Sequence, residues 1–274
     1  MRRLAARLRG EGTVGFVPTM GYLHEGHLSL VRLARRACHR TVVSIFVNPA
    51  QFGPGEDLGR YPRDENRDRR LLRREGVDVL FAPGVAEMYP EGYATEVTVK
   101  GLTRPLCGRF RPGHFTGVTT VVAKLLNIVR PDTVVFGQKD AQQAVVVRRM
   151  VRDLDFGTKV VVGPTVREPD GLAMSSRNAC LGKRHRRQAP VLHRALELAR
   201  ELVVEAGETN PAKVKRRMRR LIDDGTDARV QYIEMVDTER LDPVKRLEGE
   251  VLVALAASFG RTRLIDNVVI RARG

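Results

Sequence analysis

The sequence predicts an α/β protein: a doubly wound parallel-sheet domain followed by a second, smaller α+β domain. Three observations carry this. Short apolar, β-branched runs alternate with helical patterns through the first two-thirds of the chain, the alternation stops near Asn178, and beyond it helices come first and strands last. Alternating strands and helices favour parallel pairing, because each return to the same end of a sheet needs a crossover long enough to hold a helix. Helices followed by strands fit a separate α+β unit.

The expected strands of the first unit are residues 14–17, 41–47, 77–82, 133–137 and 159–162. The expected helices between them are 26–38, 64–75, 117–129 and 140–154, each with apolar residues at three- and four-residue spacing. In the first helix Leu30, Leu33, Ala34 and Ala37 share one face. The pattern is Rossmann-like, with its site expected where strands end and helices begin. After the boundary, placed at residue 178, one long helix is expected over 183–206, a second after Pro211, and strands over 230–236, 251–257 and 264–270. The expected domains are therefore 1–178 and 179–274.

A chain of 274 residues with 42% hydrophobic content can bury a sizeable core in such an arrangement. No run approaches the roughly 18 apolar residues of a membrane helix, and residues 1–9 lack the apolar segment of a secretory signal, so a cytoplasmic protein without a membrane partner is expected. Cys38, Cys107 and Cys180 are far apart and form no C-x-x-C pair, which argues against a disulfide framework or a zinc site. The formal charge of +16 raises the question of a polyanionic partner. Only eight of the 48 basic residues are lysines, however, and the arginine runs at 69–74, 184–187 and 216–220 lack interleaved aromatics. They read as solvated helix faces, with no nucleic acid expected, and leave a positive field suited to an anionic substrate such as ATP.

The segment 18–27 contains Met20, Gly21, His24, Gly26 and His27 and runs directly from a strand into a helix. Glycines there let the backbone approach a ligand, and the helix start offers unpaired N–H groups to phosphate. Two histidines three residues apart can donate to one phosphate chain as its charge grows. The spacing excludes the H-E-x-x-H zinc helix, and neither a P-loop nor G-x-G-x-x-G is present. A pair of chance loop histidines is the bland alternative, and the strand-to-helix setting counts against it.

A second strand-to-helix junction holds Gly137, Gln138, Lys139 and Asp140, with Gln142 and Gln143 in the following turn. Lys139 can neutralise phosphate; Asp140 alone reads as a helix cap, or as an acceptor for ribose hydroxyls. Gln143 lies one turn past Lys139 and can face the same space. Met174, Ser175, Ser176 and Arg177 form a polar loop whose hydroxyls and guanidinium suit a triphosphate, although in isolation it reads as a serine-rich turn. Residues 46–52 end a strand with Asn48 and Gln51, whose amides can orient an organic acid. His114 reads as a packed loop residue or a site residue.

Taken together and in order, 18–27, 46–52, 111–115, 137–143, 174–178 and 264–268 resemble the pantoate–β-alanine ligases. Within the wider His-x-Gly-His nucleotidyltransferase superfamily, Met174–Arg177 resembles the mobile partner loop that faces the histidines. The resemblance implies that ATP and pantoate form pantoyl adenylate and pyrophosphate, after which β-alanine takes the acyl group to give pantothenate and AMP. It implies Mg2+ with ATP and a homodimer. By family likeness His24, His27, Lys139 and Arg177 carry the catalysis, with His27 as proton donor. Met20, Gly21, Gly26, Gly137, Asp140, Met174, Ser175 and Ser176 join them around ATP, and Val166 meets the adenine end. Gln51 and Gln143 match the glutamines that bind pantoate, Gln51 also reaching β-alanine. The metal ligands are open, with Asp68 as one candidate. The chain departs from the family pattern at Gln138, usually glutamate, and at Ala141, usually aromatic. Two rival readings stay open: a related adenylyl- or cytidylyltransferase acting on another small acid or phosphate, and, from charge alone, a nucleic-acid-binding protein.

Overall fold

The computed structural model describes residues 1–272. Five strands, β1 (Val14–Thr19), β2 (Arg40–Ile45), β3 (Val79–Phe81), β4 (Thr133–Gly137) and β5 (Lys159–Gly163), form one sheet in the order β3-β2-β1-β4-β5. All its pairings are parallel. The first three strands build outward on one side of β1, and the chain then returns to add β4 and β5 on the other. This reversal leaves a crevice beyond the carboxyl ends of β1 and β4, the place where such sheets bind ligands.

The period of two along each strand sorts side chains between the faces. Val14, Phe16, Val42, Val134 and Phe136 pack with α6 (His114–Val129) and α7 (Ala141–Asp153). Val17, Val43 and Val135 pack with Leu30, Val31 and Ala34 of α2 (Glu25–Ala37) and Leu72 of α3 (Glu65–Arg74). The expected doubly wound α/β fold is therefore present.

Several elements differ from expectation. An amino-terminal helix, α1 (Arg2–Gly10), was hidden by its arginines and is held by buried Ala5 and Leu8. Two short helices, α4 (Val85–Met88) and α5 (Cys107–Phe110), lie in the stretch between β3 and α6. Helix α6 begins at His114, three residues before the expected start, capped by Gly113 at a left-handed φ of 79°. The single long helix expected over 183–206 is divided into α8 (Lys183–Gln188), α9 (Val191–Arg200) and a π-helical turn at Glu201–Glu205. Pro190 divides the first two, since it lacks the N–H that a continuous helix needs.

Helix α10 (Pro211–Gly225) starts with Pro211 in its first turn and the Asn210 side chain accepting from the Ala212 N–H at 2.9 Å. The last three strands, β6 (Arg229–Asp237), β7 (Gly249–Phe259) and β8 (Thr262–Ala272), form an antiparallel sheet in that order. Val251, Val253, Leu255 and Ala257 of β7 face a core with Leu192 and Leu196 of α9 and Met218 and Ile222 of α10. The alternate residues Leu252, Ala254 and Ala256 belong to the core cluster of the first unit. The small sheet is thus covered on both faces and pressed against the end of the larger one.

Candidate active site

The site is built at the switch point from turns rather than from regular elements. After β1, Gly21 and Tyr22 take left-handed conformations, with φ of 81° and 51°. Asp68 in α3 holds this turn: its carboxylate accepts the Tyr22 N–H at 2.7 Å and the Leu23 N–H at 2.8 Å. Both oxygens of this buried carboxylate are committed to backbone, so its geometry is that of a turn clasp and not of a metal ligand. A Cβ on Gly21 would lie 2.9 Å from Ile45 and 3.1 Å from Asp68. Gly21 does not line the cavity and serves the turn alone.

His24 then caps α2 in an extended conformation and His27 occupies its first turn. Their ring centroids are 4.0 Å apart. The His24 N–H donates to His27 Nδ1 at 3.3 Å, which leaves the proton of the neutral His27 ring on Nε2. Gly26 makes room for this pair, since a Cβ there would lie 3.0 Å from the His24 ring. Burial, aided by the charge of Lys139, lowers the His24 pKa to about 4. Burial, then His24 and Lys139, holds His27 well below the ordinary imidazole value. Near neutral pH both rings are therefore uncharged donors.

The same cavity is lined by Lys139 and Asp140 from the turn after β4, and by Met174, Ser175, Ser176 and Arg177 from the later loop. The loop is tied to the histidine turn by the Ser176 hydroxyl, which donates to the Tyr22 carbonyl at 3.2 Å. Ser175 is different: its oxygen accepts the Arg177 N–H at 3.3 Å, leaving its O–H to donate. Asp140 makes no side-chain cap bond to α7, so the capping role expected for it is not formed. Val166 lines the cavity with its carbonyl accepting from the Met174 N–H at 2.9 Å, and Gly137 and Gly26 lie on the same wall.

Gln51 and Gln143 line the same cavity. Gln51 sits in a short turn, Pro49–Gln51, pressed against α6 where Gly117 permits close approach; a Cβ on Gly117 would lie 2.1 Å from the Ala50 carbonyl oxygen. Asn48 fixes the Gln51 amide. The Asn48 oxygen accepts from Ala50 N–H at 3.3 Å and from the Tyr89 hydroxyl at 2.7 Å, while its Nδ2 donates to the Gly117 carbonyl at 3.1 Å and to Gln51 Oε1 at 3.2 Å. Gln51 Nε2, 3.0 Å from the Met20 sulfur, is consequently the end available to a substrate oxygen. The neighbouring Gln142 is structural, bonded to Cys107, Leu102 and Pro105 backbone groups.

The lining of this cavity thus combines donors for a phosphate chain with amides for an organic acid. The family described as pantoate–β-alanine ligase matches residues 1–269. A pantothenate synthetase of Moorella thermoacetica is 58% identical over 97% of this chain and 93% of its own length. The chain belongs to the pantoate–β-alanine ligase family. The pantothenate synthetase of Caldicellulosiruptor bescii is 53% identical over 100% of this chain and 97% of that protein. A crystal structure of the Thermus thermophilus pantothenate synthetase superposes with a TM-score of 0.92 at 52% identity, covering 96% of each chain. That of the Francisella tularensis pantoate–β-alanine ligase, described as complexed with β,γ-ATP and β-alanine, gives 0.80 at 34% identity over 97% of this chain and 95% of that one.

Within this ligase the two sequence departures differ in placement. Ala141 lines an adjoining cavity that shares Lys139, Gln143 and Arg177 with this one, whereas Gln138 turns to Asn267 at 2.9 Å. Sequence reasoning missed the acidic partners of the site arginines. Asp57 binds Arg177 through Nε at 2.7 Å and Nη2 at 3.0 Å, and Glu56 binds Arg111 at 2.6 and 2.7 Å. Burial works against ionising Asp57, but the Arg177 bonds and charge outweigh it and hold its pKa below the usual range. Tyr61, also missed, lies buried under the Arg177 guanidinium, 5.6 Å from it. His114 proves to be a bracing residue at the cavity wall: Arg111 donates to its Nε2 at 3.0 Å, so its Nδ1–H donates to the Gln51 carbonyl at 2.8 Å.

The buried histidines predict an acid-side loss of stability. His114 is also lowered to about 4, by burial and then Arg111. Each of these rings binds its proton more readily in the unfolded chain, near pH 6.5, than in the folded one. They contribute no pH dependence above about 7, and below about 6.5 each lowers stability by up to about 1.4 kcal/mol per pH unit. Urea unfolding at pH 7.5, 6 and 5 should show this fall, with a shallower slope in His24→Ala. A flat profile down to pH 5 would contradict the burial of neutral imidazoles.

Proposed function

We propose that the cavity activates pantoate with ATP and transfers the acyl group to β-alanine, with roles divided among its lining residues. The carboxylate of pantoate attacks the α-phosphorus of ATP and pyrophosphate leaves; the amine of β-alanine then attacks the acyl carbon of pantoyl adenylate, and AMP leaves with pantothenate formed. The observation that carries this reading is the convergence of His24, His27, Lys139 and the Ser175–Arg177 loop on a cavity that Gln51 and Gln143 also line. The relative described as complexed with an ATP compound and β-alanine supports the substrates.

The residues act by position and charge. Neutral His27, and His24 beside it, donate hydrogen bonds to the phosphates; a neutral imidazole is a weak acid, so His27 works as a donor and not as a source of protons. Lys139, the Ser175 hydroxyl and Arg177 share the triphosphate, and Arg177 reaches it with the guanidinium edge that Asp57 leaves uncommitted. Gln51 Nε2 and Gln143 hold pantoate, and the Val166 backbone meets the adenine end. Asp140 accepts from ribose. Holding two anionic reactants in line is the main demand of such a step, and no enzyme nucleophile is required.

Magnesium fits this site as a companion of ATP. Among the described residues no group of three His, Cys, Asp or Glu side chains could cage a metal, and Asp68 is committed to backbone. Phosphate oxygens and water would hold the ion, which would neutralise charge on the leaving pyrophosphate. We also place the domain boundary at residue 178 and, from family likeness, read the protein as a cytoplasmic homodimer. None of the described helices is long and apolar enough to cross a membrane.

Purified protein given ATP, pantoate and β-alanine should release AMP and pyrophosphate in equal amounts. Omitting pantoate should abolish both, and omitting β-alanine should leave a single turnover of pyrophosphate. Release that ignores pantoate would overturn the assignment, and release with another small acid in its place would favour a related nucleotidyltransferase.

A further inference from the structure

The second sheet reaches the proposed triphosphate site through one buried polar joint. Asn267 of β8 is 5% exposed, and its side-chain amide is fully committed. Its Nδ2 donates to the Gln138 carbonyl at 3.0 Å and to the Lys139 carbonyl at 2.9 Å. Its Oδ1 accepts from Gln138 Nε2 at 2.9 Å. Only the NH2 end of an amide can face two carbonyls, so the orientation of Asn267 is fixed, and a glutamine at 138 supplies the donor that its oxygen needs.

The joint is anchored from behind. The Asn267 N–H donates to Asp266 Oδ1 at 2.8 Å. Asp266 is 3% exposed and is gripped by Arg167 at 2.6 and 3.1 Å, and Arg167 also donates to the Gly171 carbonyl at 3.1 Å. Arg167 and Gly171 lie in the segment that leads from Val166 to the Ser175–Arg177 loop. Two adjacent residues in the middle of β8 therefore hold both the lysine turn and the approach to the hydroxyl loop.

The two carbonyls that Asn267 holds belong to the peptide planes on either side of the Lys139 Cα. Pinning both planes fixes φ and ψ at Lys139 and hence the direction in which its long side chain leaves the backbone. We propose that Asn267 is a positioning residue for adenylation, setting the aim of Lys139 from the second domain without touching substrate. The proposal rests on the assignment of Lys139 to the triphosphate. A misplacement of about 1 Å in a positioned group lowers a rate by about 100-fold, so an effect of about 10- to 100-fold on kcat is expected.

The test is a double-mutant comparison of steady-state pyrophosphate release, with thermal melts of each variant alongside. Asn267→Ala should lower kcat about 10- to 100-fold in the wild-type background, leave the KM for pantoate within about twofold, and add less than about twofold in a Lys139→Ala background. Gln138→Ala, which removes only the bond to the Asn267 oxygen, should show the same dependence on Lys139 with a smaller loss, and it carries the comparison if Asn267→Ala does not fold. Equal losses in both backgrounds would reduce the joint to a structural contact and overturn the proposal, as would wild-type kcat in Asn267→Ala. Wild-type turnover in Lys139→Ala would instead overturn the lysine assignment, and the positioning role with it.

Discussion

Replacing His27 with alanine is expected to lower pantoate-dependent AMP release by about 10²- to 10³-fold, the cost of removing one donor aimed at charge that grows in the transition state. The ring is half-buried, neutral and held by the His24 backbone N–H at Nδ1, so its Nε2–H is available without reorganisation. His24→Ala should act on the same step, and the two losses should combine to less than their product because the rings, 4.0 Å apart, address one phosphate chain. The informative measurement is single-turnover pyrophosphate release with saturating ATP and pantoate. Retention of wild-type turnover in either variant, with the protein folded, would remove that histidine from the mechanism.

Asp68→Ala is expected to produce the second large effect, on stability and activity together. Two charge-assisted bonds to backbone N–H groups are lost, and hydrogen bonds of that kind contribute about 1.5–3 kcal/mol each. At roughly 2–4 °C per kcal/mol for a domain of this size, Tm should fall by about 6–24 °C. Activity should fall further than stability requires, because Tyr22 and Leu23 lead directly into His24. Raising magnesium separates this role from a metal ligand: a lost turn clasp gains nothing from added Mg2+, whereas recovery of kcat at high Mg2+ would show that Asp68 serves the ion after all.

Much of the fold was legible because its signals are local. β-branched runs of four to seven residues between helical patterns located the five parallel strands to within a few residues, and the strand-to-helix junctions at His24 and Lys139 marked the crevice. Pro190 shows where such reading fails, since a helical pattern of apolar residues runs straight through a position that the backbone cannot carry unbroken. The candidate site was legible in its motif segments, which bring His24, His27, Gln51, Lys139, Gln143 and Arg177 to one cavity, while Gly21, Gln138 and Gln142 do not line it. Asp57, Glu56 and Tyr61 were not. They lie in a stretch rich in turn residues, and nothing in local periodicity points them inward toward Arg177 and Arg111.

The sequence by itself determined the fold class, the strand-to-helix junctions that bear chemistry, and, through the order of six motif segments, the resemblance to this family. These properties depend on side-chain type and spacing along the chain. Only the tertiary structure decided that His27 keeps its proton on Nε2, that Asp68 clasps a turn, that Ser176 tethers while Ser175 donates, and that Asn267 grips the lysine turn from 128 and 129 residues away. Tautomer, amide orientation and the direction of a carboxylate are set by which partners burial brings within about 3 Å, and those partners come from distant parts of the chain.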